Sequence, residues 1–342
     1  MYCCSRCAVG AALVITITIL VVIANFTHEV TAQNKVRVAF FPNINHIVPI
    51  VGIENGIFSK NLEGTEIETR LFDSGPQVIE SMFANSVDIA YVGPGPAING
   101  FLQSKNNEIQ IISGAASSGV SFVVNPGSQI KTAEDLDGKR IAAPLIGNTQ
   151  DISLRNYLYE NGLKPADKGG SVYVFNLENP EIYTLFAKDD IDGAWVPEPW
   201  ATILVLELGG VRLFNEEDLW PQKQFASVVL IARNDYIKNH PEIVSKWLDA
   251  HTETVNWINQ NPDKSKVIFN QFLKNTLGKS LKDEIINEAF SHIQITTDPS
   301  IDSIYIFAER AYSVGYLGRH GYNLDGIFHD TKLVKALLEN ET

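Results

Sequence analysis

Cysteine is missing from residue 8 onward. All three cysteines, Cys3, Cys4 and Cys7, precede a long apolar run. The remainder therefore has no disulfide framework, no cysteine–zinc site and no thiol nucleophile. Basic charge is short as well: 27 Lys and Arg stand against 40 Asp and Glu, for a net charge of −13. Residues 1–32 hold only Arg6 and Glu29, so the acidity belongs to the body of the chain. An acidic surface excludes a nucleic-acid partner, whose phosphates need a basic face. It does not exclude a small anion, which backbone N–H groups can hold locally. Catalytic patterns are also lacking. The seven histidines are scattered without an H-x-x-x-H pair, and there is no G-x-S-x-G, no phosphate-binding P-loop and no G-x-G-x-x-G. Neither a cofactor nor a metal is expected, and the protein is read as a non-enzyme.

One long apolar run stands apart. Residues 8–26 carry no charge, and Arg6 sits just before them. At about 1.5 Å per helical residue the run is long enough to cross a hydrocarbon core. The flanking charge keeps the amino end inside and sends the body outside. Two readings are open. One is a signal peptide cleaved after Val30-Thr31-Ala32; the other is an uncleaved membrane anchor, which the length favours. No cysteine follows the run, so a lipid-modified cysteine at that point is excluded. Residues 1–34 are thus assigned to a signal or anchor segment. The body is expected to be extracytoplasmic, anchored or secreted.

From Lys35 short apolar strands alternate with amphipathic helices. Strands are predicted at 36–41, 66–72, 87–92 and 109–114, with helices at 46–55, 75–84 and 94–103 between them. This βα alternation is the pattern of an open parallel sheet. Residues 121–125 break it. A second series starts at 139–144, with strands at 171–176 and 192–197 and helices at 149–161, 180–187 and 199–208. After a strand at 227–232 the text is helical, at 241–260, around 264–274, and at 281–290, 300–316 and 325–338. The order predicts two α/β lobes, the second inserted into the first: 35–120 with 228–342, and 121–227. Two crossings make a hinge, and the cleft between lobes is the default ligand site.

Several loops that follow predicted strands have unusual composition, and ligands of open α/β sheets bind at strand carboxyl ends. Asn43 and Asn45 supply amide groups or helix caps, and His46 can donate to an anion if protonated. Ser74 precedes Gly75-Pro76, a helix start with free N–H groups. Gly93, Pro94 and Gly95 form a stiff turn that lets backbone approach a guest. Asn148, Thr149 and Gln150 open an amphipathic helix whose positive end suits an anion, although Asp151 competes for that end. Trp195, Glu198 and Trp200 read either as apolar walls around a carboxylate that pairs with a cationic group, or as core with a helix-end charge. Ala116 and Ser117 lie just before the first crossing, where small residues suit a hinge.

The segments PNINH (42–46), FDSGPQVIESMFANSVDIAYVGPGPAI (72–98), ISGAAS (112–117), GNTQDISLRNYL (147–158) and AWVPEPWA (194–201) resemble the nitrate/sulfonate/taurine group of ABC-importer solute-binding proteins. The likeness is closest to aliphatic-sulfonate binders and is dense over 36–261. It implies a type II periplasmic-binding-protein fold, in which two lobes joined by a two-strand hinge close on a ligand. It also implies that the loops around Asn43 and His46, Gly93–Pro96, Ala116–Ser117, Asn148–Thr149 and Trp195–Trp200 face the cleft. The implied partners are a small anionic or zwitterionic ligand and an ABC permease with its ATPase, and a monomer is expected. Glu198 points to a zwitterion. Two other functions are open: a thiamine-pyrimidine binding or synthesising protein, whose enzymes rely on a cysteine-rich motif that this body lacks, and a sensory ligand-binding module.

Overall fold

The computed structural model describes residues 34–104 and 108–330. The apolar run at 8–26, and with it the predicted membrane helix, lies outside the described residues. Among the described residues no helix is long and apolar enough to cross a membrane.

The chain opens with β1 (Asn34–Phe40), a short 3₁₀ turn (Ile44–His46), α1 (Ile47–Glu54) and α2 (Ile57–Asn61). Next come β2 (Thr65–Leu71), α3 (Gly75–Phe83), β3 (Ile89–Val92), α4 (Pro94–Gln103) and β4 (Ile109–Ser118). The inner half of β1 and all of β3 are buried, as continuous Val, Ile, Ala and Phe text demands of strands covered on both faces. Gly119 then carries the chain into β5 (Val120–Val124), β6 (Arg140–Ala143) and α5 (Thr149–Glu160). β7 (Tyr173–Asn176), α6 (Asn179–Ala187), β8 (Gly193–Pro197), α7 (Trp200–Leu208) and β9 (Val211–Asn215) complete that series. β10 (Ala226–Arg233) leads to α8 (Asn234–Asn239), α9 (Pro241–Gln260), α10 (Pro262–Leu277), α11 (Asp283–Ser291), β11 (Ile293–Ile295) and α12 (Ile301–Ser313).

These strands form two sheets. The first is six-stranded, in the order β11-β4-β10-β3-β1-β2; the second is five-stranded, in the order β7-β6-β8-β5-β9. Both share one plan. β1 pairs in parallel with β2 and β3, and β6 pairs in parallel with β7 and β8. The strand that enters from the other half then inserts antiparallel: β10 between β3 and β4, and β5 between β8 and β9. The two passages between sheets lie side by side, because Ala226 of β10 pairs with Ser117 of β4.

Helices cover both faces of the first sheet. Trp247 of α9 packs its ring 4.2 Å from Phe58 of α2, both fully buried. Removing such a ring from water contributes roughly 1.5–3 kcal/mol. His251 of α9 is also buried, with Nε2 2.9 Å from the Gly114 carbonyl and Nδ1 3.0 Å from the Tyr91 hydroxyl.

The structure departs from the sequence expectation at several elements, the short helix α8 among them. β9 and β11 go unpredicted, being only five and three residues long at sheet edges. The helix expected over 46–55 is followed by a second, because Gly56 adopts φ 73° and breaks the turn. No helix starts at Asp325. Leu324 and Ile327 are buried, the Ile111 N–H donates to the Ile327 carbonyl at 2.8 Å, and Phe328 bridges Ile111 in parallel. Docking along β4 buries this apolar text better than an exposed helix would. Residues 331–342, the rest of that expected helix, lie outside the described residues.

Candidate functional site

A cavity of about 280 Å³ opens where the carboxyl ends of β1, β3, β6, β7 and β8 face one another. From the first sheet's side it is lined by Phe41, Pro42, Asn43, Asn45 and His46, by Asp73, by Gly93 and Pro96, and by Ser227, Val228 and Leu277. From the second sheet's side come Pro144, Leu145, Asn148, Thr149 and Gln150, then Leu177, Glu178, Asn179 and Pro180, then Pro197 and Trp200. Apart from Ser227 and Val228 of β10 and Leu277 at the end of α10, both walls belong to segments that follow a strand and open the next helix, the place that α/β sheets reserve for ligands.

The starts of five helices border this space, and proline decides what each can offer. A helix start normally presents free N–H groups, but proline has none. In α3, Pro76 leaves Gly75 to donate, and its N–H is taken by Asn148 Oδ1 at 2.9 Å. In α4, Pro94 and Pro96 flank Gly95, whose N–H goes to Thr149 Oγ1 at 3.3 Å. Pro180 opens α6 and Pro199 precedes α7. α5 begins without proline, as do the first turn of α7 and the 3₁₀ turn at Ile44. The Thr149 and Gln150 amides find no acceptor among the turn and cap bonds of the described residues. Asp151 does not compete for this end: it is buried, accepts from the Gly147 N–H, and pairs with Arg155 at 2.7 Å. The start of α5 therefore offers the cavity free donors and a positive helix end.

Eight of the sequence-predicted residues line the cavity: Asn43, Asn45, His46, Gly93, Asn148, Thr149, Gln150 and Trp200. Gly93 is required there, since a Cβ would stand 2.2 Å from Thr149 Oγ1. His46 lines the cavity in a form other than the protonated one. Burial pushes its pKa down to about 3, so the ring is neutral. Nδ1 accepts from the Phe41 N–H at 3.3 Å, which assigns the proton to Nε2 and leaves a neutral donor.

Seven predicted residues fall outside the lining. Ser74 is a buried N-cap with no side-chain cap bond, and Pro94 and Gly95 sit behind Gly93 at the α4–α5 contact. Ala116 and Ser117 are inside β4, paired with β10 and β11; the Ser117 hydroxyl donates to the Phe225 carbonyl at 2.8 Å. Trp195 is fully buried among Phe122, Tyr157 and Phe214, and its Nε1 donates to Glu216 at 2.8 Å. Glu198 is also fully buried and cannot take a guest's cationic group. Oε1 is 2.8 Å from Arg212 Nη2, and Oε2 accepts from the Thr202 N–H at 3.1 Å. A charge partner on another strand is invisible to local text.

Sequence reading missed Glu178, Asn179 and Pro180, although they follow a predicted strand and obey the same strand-end rule. Asp73 lay in a loop already singled out. Ser227, Val228 and Leu277 carry no local signal. Among the described residues of the lining none is Lys or Arg, and Asp73 and Glu178 are exposed carboxylates. Among the described residues no cluster of His, Cys, Asp and Glu is arranged to hold a metal ion.

Two sheets of this order, facing across a cleft at their strand ends, define the α/β periplasmic-binding-protein fold. The alkanesulfonate-binding protein of Xanthomonas axonopodis pv. citri superposes with a TM-score of 0.69 at 17% identity, over 83% of this chain and 94% of that one. Residues 30–270 match the model of the NMT1-like family, and the chain belongs to that family. A candidate binding protein of Brucella abortus is 30% identical over 66% of this chain and 67% of its own length. The taurine-binding periplasmic protein of Escherichia coli is 30% identical over 58% of this chain and 60% of its own.

Proposed function

We propose that this chain is the exported solute-binding receptor of an ABC importer. It captures a small anion, such as an aliphatic sulfonate, taurine or nitrate, and delivers it to a permease driven by an ATPase. The observation that carries the reading is the cavity between two sheets, lined from both sides and provided with free amides at the start of α5. The lobes are 35–120 with 228–342, and 121–227, in a type II arrangement hinged at the two neighbouring passages. Thr149 and Gln150 seat the anion, Asn148 and Asn43 border it, His46 donates as a neutral imidazole, and Trp200 forms a wall. Closure follows from differential affinity, because the guest touches both lobes only in the closed form. One chain supplies both walls, so a monomer suffices. The apolar run at 8–26 tethers the receptor to the membrane and raises its effective concentration at the permease.

The test is a thermal-shift panel on the full chain in mild detergent, with alkanesulfonates, taurine, nitrate, bicarbonate and a thiamine pyrimidine. A true ligand at about 100 times its Kd adds about 2.7 kcal/mol of stability. Thr149→Ala then weakens binding by about 1–3 kcal/mol through the lost hydroxyl and its contact with Gly95. Absence of any shift across the anions, or turnover of one of them, defeats the reading.

A further inference from the structure

We propose that the guest carries a hydrogen-bond donor beside its anionic group, and that Asn45 couples recognition of that donor to closure of the hinge. This rests on the receptor reading above. Asn45 lies in the turn after β1 and is 3% exposed. Its Nδ2 donates to the Ser118 carbonyl at 3.3 Å and the Gly119 carbonyl at 3.3 Å, with Ser227 Oγ at 3.4 Å. Ser118 and Gly119 form the first passage between sheets, and Ser227 follows the second. One amide therefore clasps both strands of the hinge. The fit is close: Gly119 has φ 74°, and a Cβ there would stand 2.7 Å from Asn45 Nδ2.

Two carbonyl acceptors fix the orientation of the amide, with nitrogen toward the hinge and oxygen away. That oxygen is buried and has no partner. The side-chain oxygens of Asn43 and Asn179, on opposite walls of the same cavity, are stranded in the same way. The charged side chains of the lining are the carboxylates Asp73 and Glu178. An acceptor-only anion closes the cleft with these oxygens unanswered. A guest bearing an ammonium or hydroxyl group answers them. Sites whose buried polar groups would be left unpaired reject the analogue that lacks the matching group. Discrimination is thus exerted at closure, and the hinge clasp transmits it.

Taurine and ethanesulfonate make the comparison, since they differ by one ammonium. Calorimetry on the full chain in mild detergent should show taurine binding about 10- to 100-fold tighter, the range of a buried hydrogen bond to a charged group. Small-angle scattering should show compaction with taurine and less with saturating ethanesulfonate. Asn45→Ala should bring the ratio of affinities to within about three-fold of unity. Asn45→Asp keeps an acceptor but sets a carboxylate oxygen against the Ser118 and Gly119 carbonyls, so it should lose the difference in compaction between the two guests, which serves if the alanine variant does not fold. Equal affinities in the wild type, an unchanged ratio in folded Asn45→Ala, or an unchanged difference in compaction in Asn45→Asp each overturn the proposal. Failure of both compounds to bind strikes the receptor reading instead.

Discussion

Glu216 sits with no exposed atom to speak of beneath the second sheet. Ser153 and Trp195 donate to its two oxygens, and Arg310 lends a distant positive charge. Burial outweighs these contacts and raises its pKa to about 7 from 4.5. The folded protein therefore holds a proton that the unfolded chain has released between those values. The contribution of this group to stability is full below pH 4.5 and is lost as pH rises through 7, on the order of 3 kcal/mol in all. The buried His46 and His251 act with the opposite sign. Their pKa values are lowered to about 3 and about 4, so they cost stability as pH falls below 6.5. Urea titrations from pH 4.5 to 7 should show Glu216→Gln gaining on the wild type as pH rises. Parallel curves for the two proteins would show that Glu216 does not titrate across that window. Neither effect was legible in the text, because Glu216 reads as one acid in a surface-like run, Glu216-Glu217-Asp218.

At the level of elements, the contact between α4 and α5 joins the two halves. Gly93, at the start of α4, leaves room for Thr149 at the start of α5, and Gly95 donates to the same hydroxyl. Gly93 has φ −70°, so its need for glycine is space and not backbone freedom. Gly93→Ala should lower the melting temperature, since its Cβ overpacks the contact with Thr149 at a cost of about 1–3 kcal/mol, and should weaken ligand binding as well. Wild-type affinity in calorimetry would show that the two helix starts separate when ligand binds. Most of this geometry was readable. Loops after strands, with Asn, Gly and Thr at helix starts, located both elements to within a residue or two. What text did not show is that the Gly75 and Gly95 amides, left beside Pro76, Pro94 and Pro96, would be taken by Asn148 and Thr149. The residues were visible, but their convergence on one cavity was not.

At the scale of the whole molecule, the C-terminal helices hold the halves together. α12 packs against α4 on one side and α5 on the other, and α11 against α7. Arg310 of α12 donates to the Leu219 carbonyl at 2.8 Å and stacks 4.2 Å from the Trp220 ring. Lys282 reaches Glu207 at 3.2 Å. Arg310→Ala removes a cation–π contact and a charged hydrogen bond. It should weaken ligand binding by about 1 kcal/mol and enlarge the ligand-bound particle in small-angle scattering. An unchanged affinity and radius would confine Arg310 to the packing of the second lobe.

The chain's own text determined the alternation of strands and helices, the cysteine-free acidic body, the change of series near residue 120, and the loops from which a site could be made. Period and composition are local, and burial of one face per element follows from them. Tertiary structure alone decided which of those loops meet. It turned Trp195 and Glu198 inward, where Glu216 and Arg212 satisfy them, and it brought Glu178, Asn179 and Ser227 to the cavity. Those outcomes depend on pairings between residues far apart in sequence, and no local pattern encodes the angle at which two lobes close.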